Sequence, residues 1–268
     1  MARIKVDNLQ IGYDERGSGA AIVFLHGVGS DKSVWARQLE HFSRRWRAVA
    51  LDYPGYGESD LPPGPCDRAT IARYVFGAMD GLGIASAHIV GLSMGGVIAL
   101  EMTRQQPARL RSLTLADTFA HHPQADAIVE RAHHALATMS MRAFAEARVH
   151  VLLAPGAPES LRQEVIATMA RIDKRTYHWA TVAVWTADYR NDLAQITIPT
   201  LVVVGEHDQP TPPALSEQLC AGIPGARLAI IPAAGHISNI DHPAAFNQLV
   251  ETFIATLEPH QPTEHLDN

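Results

Sequence analysis

The sequence predicts an α/β fold with a mostly parallel central sheet flanked by helices. Three observations carry that expectation. Short, continuous apolar runs such as Ala21–Leu25 and residues 200–204 have the composition of parallel strands buried on both faces. Segments of helical character alternate with them, as right-handed crossovers between parallel strands require. One strand-like run, 87–90, leads through Gly91-Leu92-Ser93-Met94-Gly95-Gly96 into a helix-forming segment, 97–106. Such a corner holds its serine in a strained conformation with Oγ projecting from the sheet. Glycines at 91 and 95 fit there because a Cβ would collide with the neighbouring helix and strand.

In chain order, residues 4–16 alternate as one or two edge strands broken near Asp7-Asn8, and Gly17-Ser18-Gly19 is a turn. Ala21–Leu25 runs into the glycine-rich loop His26-Gly27-Val28-Gly29-Ser30. A helix is expected over 32–42 with Asp31 as its N-cap. Arg47–Leu51 is a strand that closes on Asp52-Tyr53-Pro54-Gly55-Tyr56-Gly57-Glu58-Ser59. Residues 61–65 are a proline-rich loop and 69–82 a helix ended by Gly83. After the corner and its helix, Leu110–Ala116 is the sixth strand, ending at Asp117. From 118 to 192 no strand is expected, only helical pieces separated by Pro123, Pro155-Gly156-Ala157-Pro158 and the Asp173 region. This reads as a helical cap inserted after the sixth strand, with 1–117 and 193–268 forming the core domain. The sheet rhythm resumes at 200–204, followed by a helix over 213–221, a strand over 226–231 and a helix over 243–257, with Asp241 or His242 near its cap. The polar tail 258–268 is expected to fray.

Composition narrows the function classes. With 268 residues, 47% hydrophobic and 19% charged, the chain can bury a large core and is neither disordered nor membranous in character. Acidic residues exceed basic ones, 28 to 22, and no Lys/Arg block stands out, so no nucleic-acid partner is expected. No stretch approaches the roughly 20 apolar residues that span a bilayer. The first residues enter strand alternation directly, so no secretory signal is expected either. Cys66 and Cys220, far apart in sequence, suit a reducing cytoplasm. Oligomeric state is not legible.

Ligands of open parallel sheets bind at the carboxyl ends of the strands. Three reactive residues lie just past strand ends, in the order Ser93, Asp208, His236. A serine hydroxyl is a weak nucleophile near neutral pH, so His236 would accept its proton while Asp208 fixes the imidazole tautomer. The oxyanion of a tetrahedral intermediate needs donors. The N–H of Met94, at the positive end of the new helix, and that of Val28, in the loop after the Ala21–Leu25 strand, are the candidates.

The motifs His26-Gly27-Val28-Gly29, Asp52 to Ser59, Gly91 to Gly96, Gly205-Glu206-His207-Asp208 and Ala234-Gly235-His236 together resemble an α/β-hydrolase along nearly the whole chain. Within that family, Leu92-Ser93-Met94-Gly95-Gly96, Ile198-Pro199-Thr200-Leu201, Thr211-Pro212-Pro213 and Ala234 to Asn239 are similar to the 3-oxoadipate enol-lactonase and carboxylesterase branch, features shared with non-haem haloperoxidases and C–C bond hydrolases. The resemblance implies nucleophile Ser93, acid Asp208, base His236 and oxyanion amides Val28 and Met94, with no cofactor or metal. It places Trp35 where relatives line the acyl pocket. Gly27, Trp35 and Trp185 are the expected substrate contacts. Two features depart from the enol-lactonase branch. The loop reads His26-Gly27 where those lactonases often carry His-Ser. Their dicarboxylate substrate favours a cationic pocket, yet between 118 and 195 eight basic residues balance eight acidic ones.

Other residues of the same types have plainer readings. Asp117 also ends a strand, and is read as a loop or pocket residue. His242 precedes Pro243 at a helix start, where capping or surface exposure is expected. His26 comes too early to be the base and is read as holding its loop. The pairs His121-His122 and His133-His134 point to different helix faces and lack ligand-spaced partners, so no metal site is expected. Trp179 and Trp185 either line a cavity or pack the cap. The expected reaction is hydrolysis of a small ester or lactone through an acyl-serine. C–C hydrolysis or cofactor-free perhydrolysis on the same triad, and a ligand receptor that retains the triad, are the alternatives. Dehalogenase and epoxide hydrolase chemistry is disfavoured, since those relatives use an aspartate where Ser93 stands.

Overall fold

The computed structural model describes residues 2–257; the tail expected to fray lies outside them. The chain opens with a hairpin of β1 (Ala2–Val6) and β2 (Leu9–Arg16), turned at Asp7 with φ 50°. β3 (Ala21–Leu25), β4 (Arg47–Leu51), β5 (Ala87–Leu92), β6 (Leu110–Ala116), β7 (Thr200–Gly205) and β8 (Arg227–Ile231) complete one eight-stranded sheet in the order β1-β2-β4-β3-β5-β6-β7-β8. β1, β2 and β4 pair antiparallel, and every pairing from β4 to β8 is parallel. β3, β5 and β7 are buried throughout, which is why they read as unbroken apolar runs.

The helices differ from expectation mainly at their starts. The first is divided into a 3₁₀ turn, Lys32–Trp35, and α1 (Ala36–Phe42), and Asp31 does cap it by accepting from Ser33 N–H at 2.9 Å. α2 (Arg68–Gly81) is capped by Asp67. α3 (Met94–Gln105) starts directly after Ser93, three residues earlier than the sequence indicated. Gly95 and Gly96 resemble a turn in sequence, but they are helical because the helix packs closely on its neighbours. A Cβ on Gly95 would come within 2.1 Å of the Leu25 carbonyl oxygen on β3, and one on Gly91 within 2.3 Å of the Gly95 oxygen.

Between β6 and β7 lie α4 (Ala125–Thr138), α5 (Met141–Leu152), α6 (Glu159–Ala170) and α7 (Lys174–Trp185). α4 packs on α7 and α5 on α6. An antiparallel bridge of His121 and Asp188, with Tyr189 N–H donating to the Ala120 carbonyl at 2.9 Å, joins the two ends of this insertion. After β7 come α8 (Pro213–Gly222), then, beyond β8, the single turn α9 (Ser238–Asp241) and α10 (Pro243–Ala255). Neither Asp241 nor His242 caps α10 with its side chain. Asp241 instead accepts from Gly235 N–H and Ala154 N–H, both at 2.8 Å, fastening the loop before α9 to the insertion. His242 occupies the N-cap position without a side-chain cap bond. Among the described residues no helix is long and apolar enough to cross a membrane.

Candidate active site

Ser93 stands at the corner between β5 and α3 with φ 53° and ψ −112°, outside the regions ordinary side chains adopt. Such a conformation costs on the order of 1–3 kcal/mol and persists only where its surroundings over-determine it. Here they do. Ser93 N–H donates to the Ala116 carbonyl at 2.8 Å, and its own carbonyl accepts from Thr118 Oγ1 at 2.8 Å and Gly96 N–H at 2.9 Å.

The turns after β7 and β8 bring two further side chains to Ser93. His236 Nε2 lies 3.0 Å from Ser93 Oγ, and its Nδ1 lies 2.9 and 3.0 Å from the two Asp208 oxygens. All three residues are buried. A carboxylate can only accept, so Nδ1 carries a proton, and in the neutral ring Nε2 then presents its lone pair to the serine hydroxyl. In the sequence Thr211 stands out only as part of Thr211-Pro212-Pro213, with no role of its own, yet it fixes Asp208: its N–H donates to Oδ1 at 2.8 Å and its hydroxyl to Oδ2 at 2.7 Å. Aspartate side chains readily accept from backbone N–H groups a few residues on, which favours such a local turn.

Asp117, the competing carboxylate, does not touch His236 by hydrogen bond. It is fully buried at φ 49°, and it accepts from Gly205 N–H at 2.8 Å and Ser238 Oγ at 2.5 Å. It thereby ties the turn that carries Asp208 to the one that carries His236. Burial first, and the nearby Asp208 charge second, push its carboxyl well above the usual carboxylate range.

The loop after β3 forms the other side of the site. His26 is buried, with Nδ1 2.8 Å from the Gly27 carbonyl and its ring against Tyr53 and Tyr56, so it holds the loop as expected. Burial lowers its pKa and keeps it neutral. Tyr56 adds a hydrogen bond to the Val28 carbonyl at 3.1 Å. The amide N–H groups of Val28 and Met94 have no acceptor among the described residues. A Cβ on Gly27 would stand 3.4 Å from Ser93 Cβ, so glycine leaves room beside the hydroxyl.

Ser93, His236, Gly27 and Val28 border a small chamber of about 40 Å³, closed on the insertion side by Arg148, Leu152, Met169, Tyr177 and Trp185. Trp185 is in this wall, stacked on Phe119 at 5.1 Å with 21° between the rings. Trp35 is not, and that expectation is corrected. The turn Lys32–Trp35 drives its indole into the core, 5.1 Å from Phe24 and 6.0 Å from Phe246, with no exposed surface. Trp179 faces an outer groove with Pro65 and Arg104. The histidine pairs are spread apart: His121 bridges to Asp188, His122 meets the edge of Trp185, and His133 lies beside His178. Among the described residues no three His, Cys, Asp or Glu side chains gather as metal ligands.

Comparison with known proteins gives a consistent picture. Residues 22–249 match the model of the alpha/beta hydrolase family. The chain is 30% identical over 240 residues to 3-oxoadipate enol-lactonase 1 of Acinetobacter baylyi, covering 89% of this chain and 90% of that protein. It is 29% identical over 265 residues to a 2-hydroxy-6-oxononadienedioate/2-hydroxy-6-oxononatrienedioate hydrolase of Burkholderia vietnamiensis, covering 92% and 91%. The crystal structure of the enol-lactonase from Burkholderia xenovorans superposes with a TM-score of 0.89 at 30% identity, over 95% of this chain and all of that one.

Proposed function

The chain belongs to the alpha/beta hydrolase family and is a hydrolase, and from that premise we propose that it cleaves a small carboxylic ester or lactone through an acyl-Ser93 intermediate. The observation that carries this reading is the continuous chain of contacts from Ser93 Oγ through His236 to Asp208, at 3.0 and 2.9 Å. In the proposed sequence Ser93 Oγ attacks the carbonyl carbon while His236 Nε2 takes its proton, and Asp208 stabilises the imidazolium. The carbonyl oxygen becomes the oxyanion and receives hydrogen bonds from the Val28 and Met94 amides. Each such donor contributes about 3–4 kcal/mol to the transition state. The intermediate collapses, and the departing alkoxide takes the proton from His236. In a lactone the alkoxide stays joined to the acyl chain. Water, deprotonated by the same nitrogen, then releases the acid. The residues 118–192, serving as a cap, exclude bulk water from the chamber and limit the acyl group it accepts.

An activated aryl ester tests this. The wild-type protein should show a burst of phenolate equal to the enzyme present, followed by turnover. Ser93→Ala should lower kcat by at least about 10³-fold. Turnover by Ser93→Ala within tenfold of wild type would overturn the reading.

A further inference from the structure

His236 lies in a turn between β8 and α9 whose main chain is held residue by residue. The Ala234 carbonyl accepts from His207 N–H at 2.8 Å, which joins this turn to the one that carries Asp208. Gly235 N–H donates to Asp241 Oδ2 at 2.8 Å, and Ile237 N–H donates to the Leu152 carbonyl at 3.1 Å. The residues on both sides of the base are thus fastened to groups outside the turn. Leu152 is the last residue of α5, where a helix has carbonyls without partners inside it. Asp241 Oδ2 also accepts from Ala154 N–H at 2.8 Å, two residues further on. One carboxylate oxygen therefore bridges the amide before His236 and an amide just after α5.

α9 is a single turn with three anchoring side chains. Ser238 reaches Asp117, and Asn239 Nδ2 donates to the Val34 carbonyl at 3.0 Å and to Gln38 Oε1 at 3.2 Å, all in the core. By hydrogen bond, Asp241 alone of these side chains reaches the insertion. The corner it grips is buried at Leu153 and Ala154, and Arg162 of α6 holds it too, donating to the carbonyls of residues 154, 155 and 157. A cation on its carbonyls and a carboxylate on its amide fix this corner between α5, α6 and the base. At Gly235 the two main chains approach so closely that a Cβ would stand 2.7 Å from Ala154 N and from the Leu153 carbonyl carbon. Gly235 and Ala154 are both buried, so loss of the Asp241 oxygen would leave two N–H groups there without an acceptor. Buried donors in folded proteins are seldom left that way.

We infer that Asp241 is a positioning residue for His236: it locks the turn that carries the base to the corner after α5, and the imidazole meets both Ser93 and Asp208 only while that corner is seated. This rests on the acyl-Ser93 reading and adds to it a residue outside the chamber. It also gives the insertion a part in placing the base, beyond covering the site. Asp241 and Ala154 do not border the chamber, whereas Leu152 and Ile237, the pair joined at 3.1 Å, both do. A group bound against them contacts the same bonded pair that flanks His236. His236 Nε2 stands 3.0 Å from Ser93 Oγ, and a misplacement of about 1 Å at such a contact lowers the rate about 10²-fold.

The test compares Asp241→Ala with Asp241→Asn, whose side-chain oxygen can take the Oδ2 place and accept both amides. In stopped-flow acylation by p-nitrophenyl acetate, Asp241→Ala should react about 10- to 100-fold more slowly than wild type. The half-saturating ester concentration should stay within about threefold, because Asp241 does not border the chamber. Asp241→Asn should acylate within about fivefold of wild type. A second readout needs no turnover: the low-field proton resonance of His236 Nδ1–H, identified by its absence from His236→Gln. It should be displaced or lost in folded Asp241→Ala and kept in Asp241→Asn. If Asp241→Ala melts too low to assay, Asp241→Ser carries the same comparison. Acylation by the alanine variant within about threefold of wild type, an unchanged His236 resonance in it, or an equal loss in Asp241→Asn would overturn the inference. Failure of the wild-type protein to acylate Ser93 would count against the acyl-serine reading alone, and the resonance would then decide the role of Asp241.

Discussion

Replacing Asp208 by asparagine should remove most of the catalysis while sparing the fold, and the geometry says why. The two carboxylate oxygens receive Thr211 N–H at 2.8 Å, Thr211 Oγ1–H at 2.7 Å and His236 Nδ1–H at 2.9 and 3.0 Å. Asparagine has the same shape but one oxygen. The Thr211 amide can only donate, so it retains that oxygen in the Oδ1 place. The NH₂ group then occupies the Oδ2 place, facing His236 Nδ1 and a Thr211 hydroxyl that can rotate to accept. An N–H facing Nδ1 requires a lone pair there, which moves the imidazole proton to Nε2, opposite Ser93 Oγ. Nε2 can no longer accept the serine proton. Loss of the correct tautomer in a Ser-His-Asp system lowers kcat by ~10⁴-fold, or about 5.5 kcal/mol of barrier. Stopped-flow acylation with an activated aryl ester measures the effect, and thermal melting checks the fold. An Asp208→Asn variant that melts normally and acylates within tenfold of wild type would refute the argument. If Asp117→Asn instead produced the 10⁴-fold loss, the acid would be Asp117.

Two further outcomes concern stability. Asp52 is fully buried and accepts from the Lys32 amide at 2.8 Å and its ammonium at 2.9 Å, a hydrogen bond that holds Lys32 above its usual pKa although burial opposes it. Lys32→Met leaves that carboxylate without its cation and should cost about 3–5 kcal/mol in urea denaturation near pH 7; a loss under about 1 kcal/mol would refute the pairing's importance. Asp117 has a folded-state pKa raised above the ordinary 3.8, so between those values the native protein holds a proton that the unfolded chain has released. Its contribution to stability therefore falls as pH rises through that window. Asp117→Asn does not titrate, so the melting temperature of the variant minus that of wild type should be larger at pH 8 than at pH 5, and the opposite order would refute the shift.

Much of the fold is legible in the sequence because its signals are local. A strand buried on both faces must be apolar throughout, which exposes β3, β5 and β7, and a corner as tight as that at Ser93 requires glycines two residues to either side. Helix starts were less legible: Gly95 and Gly96 belong to α3 because β3 and Thr118 stand too close for a side chain, a fact about neighbours distant in sequence. The same distinction separates the tryptophans. Trp35 and Trp185 are both large and apolar, and only the packing of the turn Lys32–Trp35 against Phe24 and Phe246 sends one to the core while the other borders the chamber.

By itself the sequence determined the order Ser93, Asp208, His236 and their places past strand ends, because strand direction and short connections dictate where such residues emerge. The tertiary structure decided what surrounds them. It made Asp117 a brace between two turns, hydrogen-bonded to Gly205 and Ser238, and of the arginines in a charge-balanced insertion it set only Arg148 against the chamber. Charge pairing depends on which side chains meet across helices, and neither composition nor spacing records that. The proposed acyl-transfer chemistry therefore rests on local motifs, whereas the walls of the chamber come from contacts between segments distant in sequence.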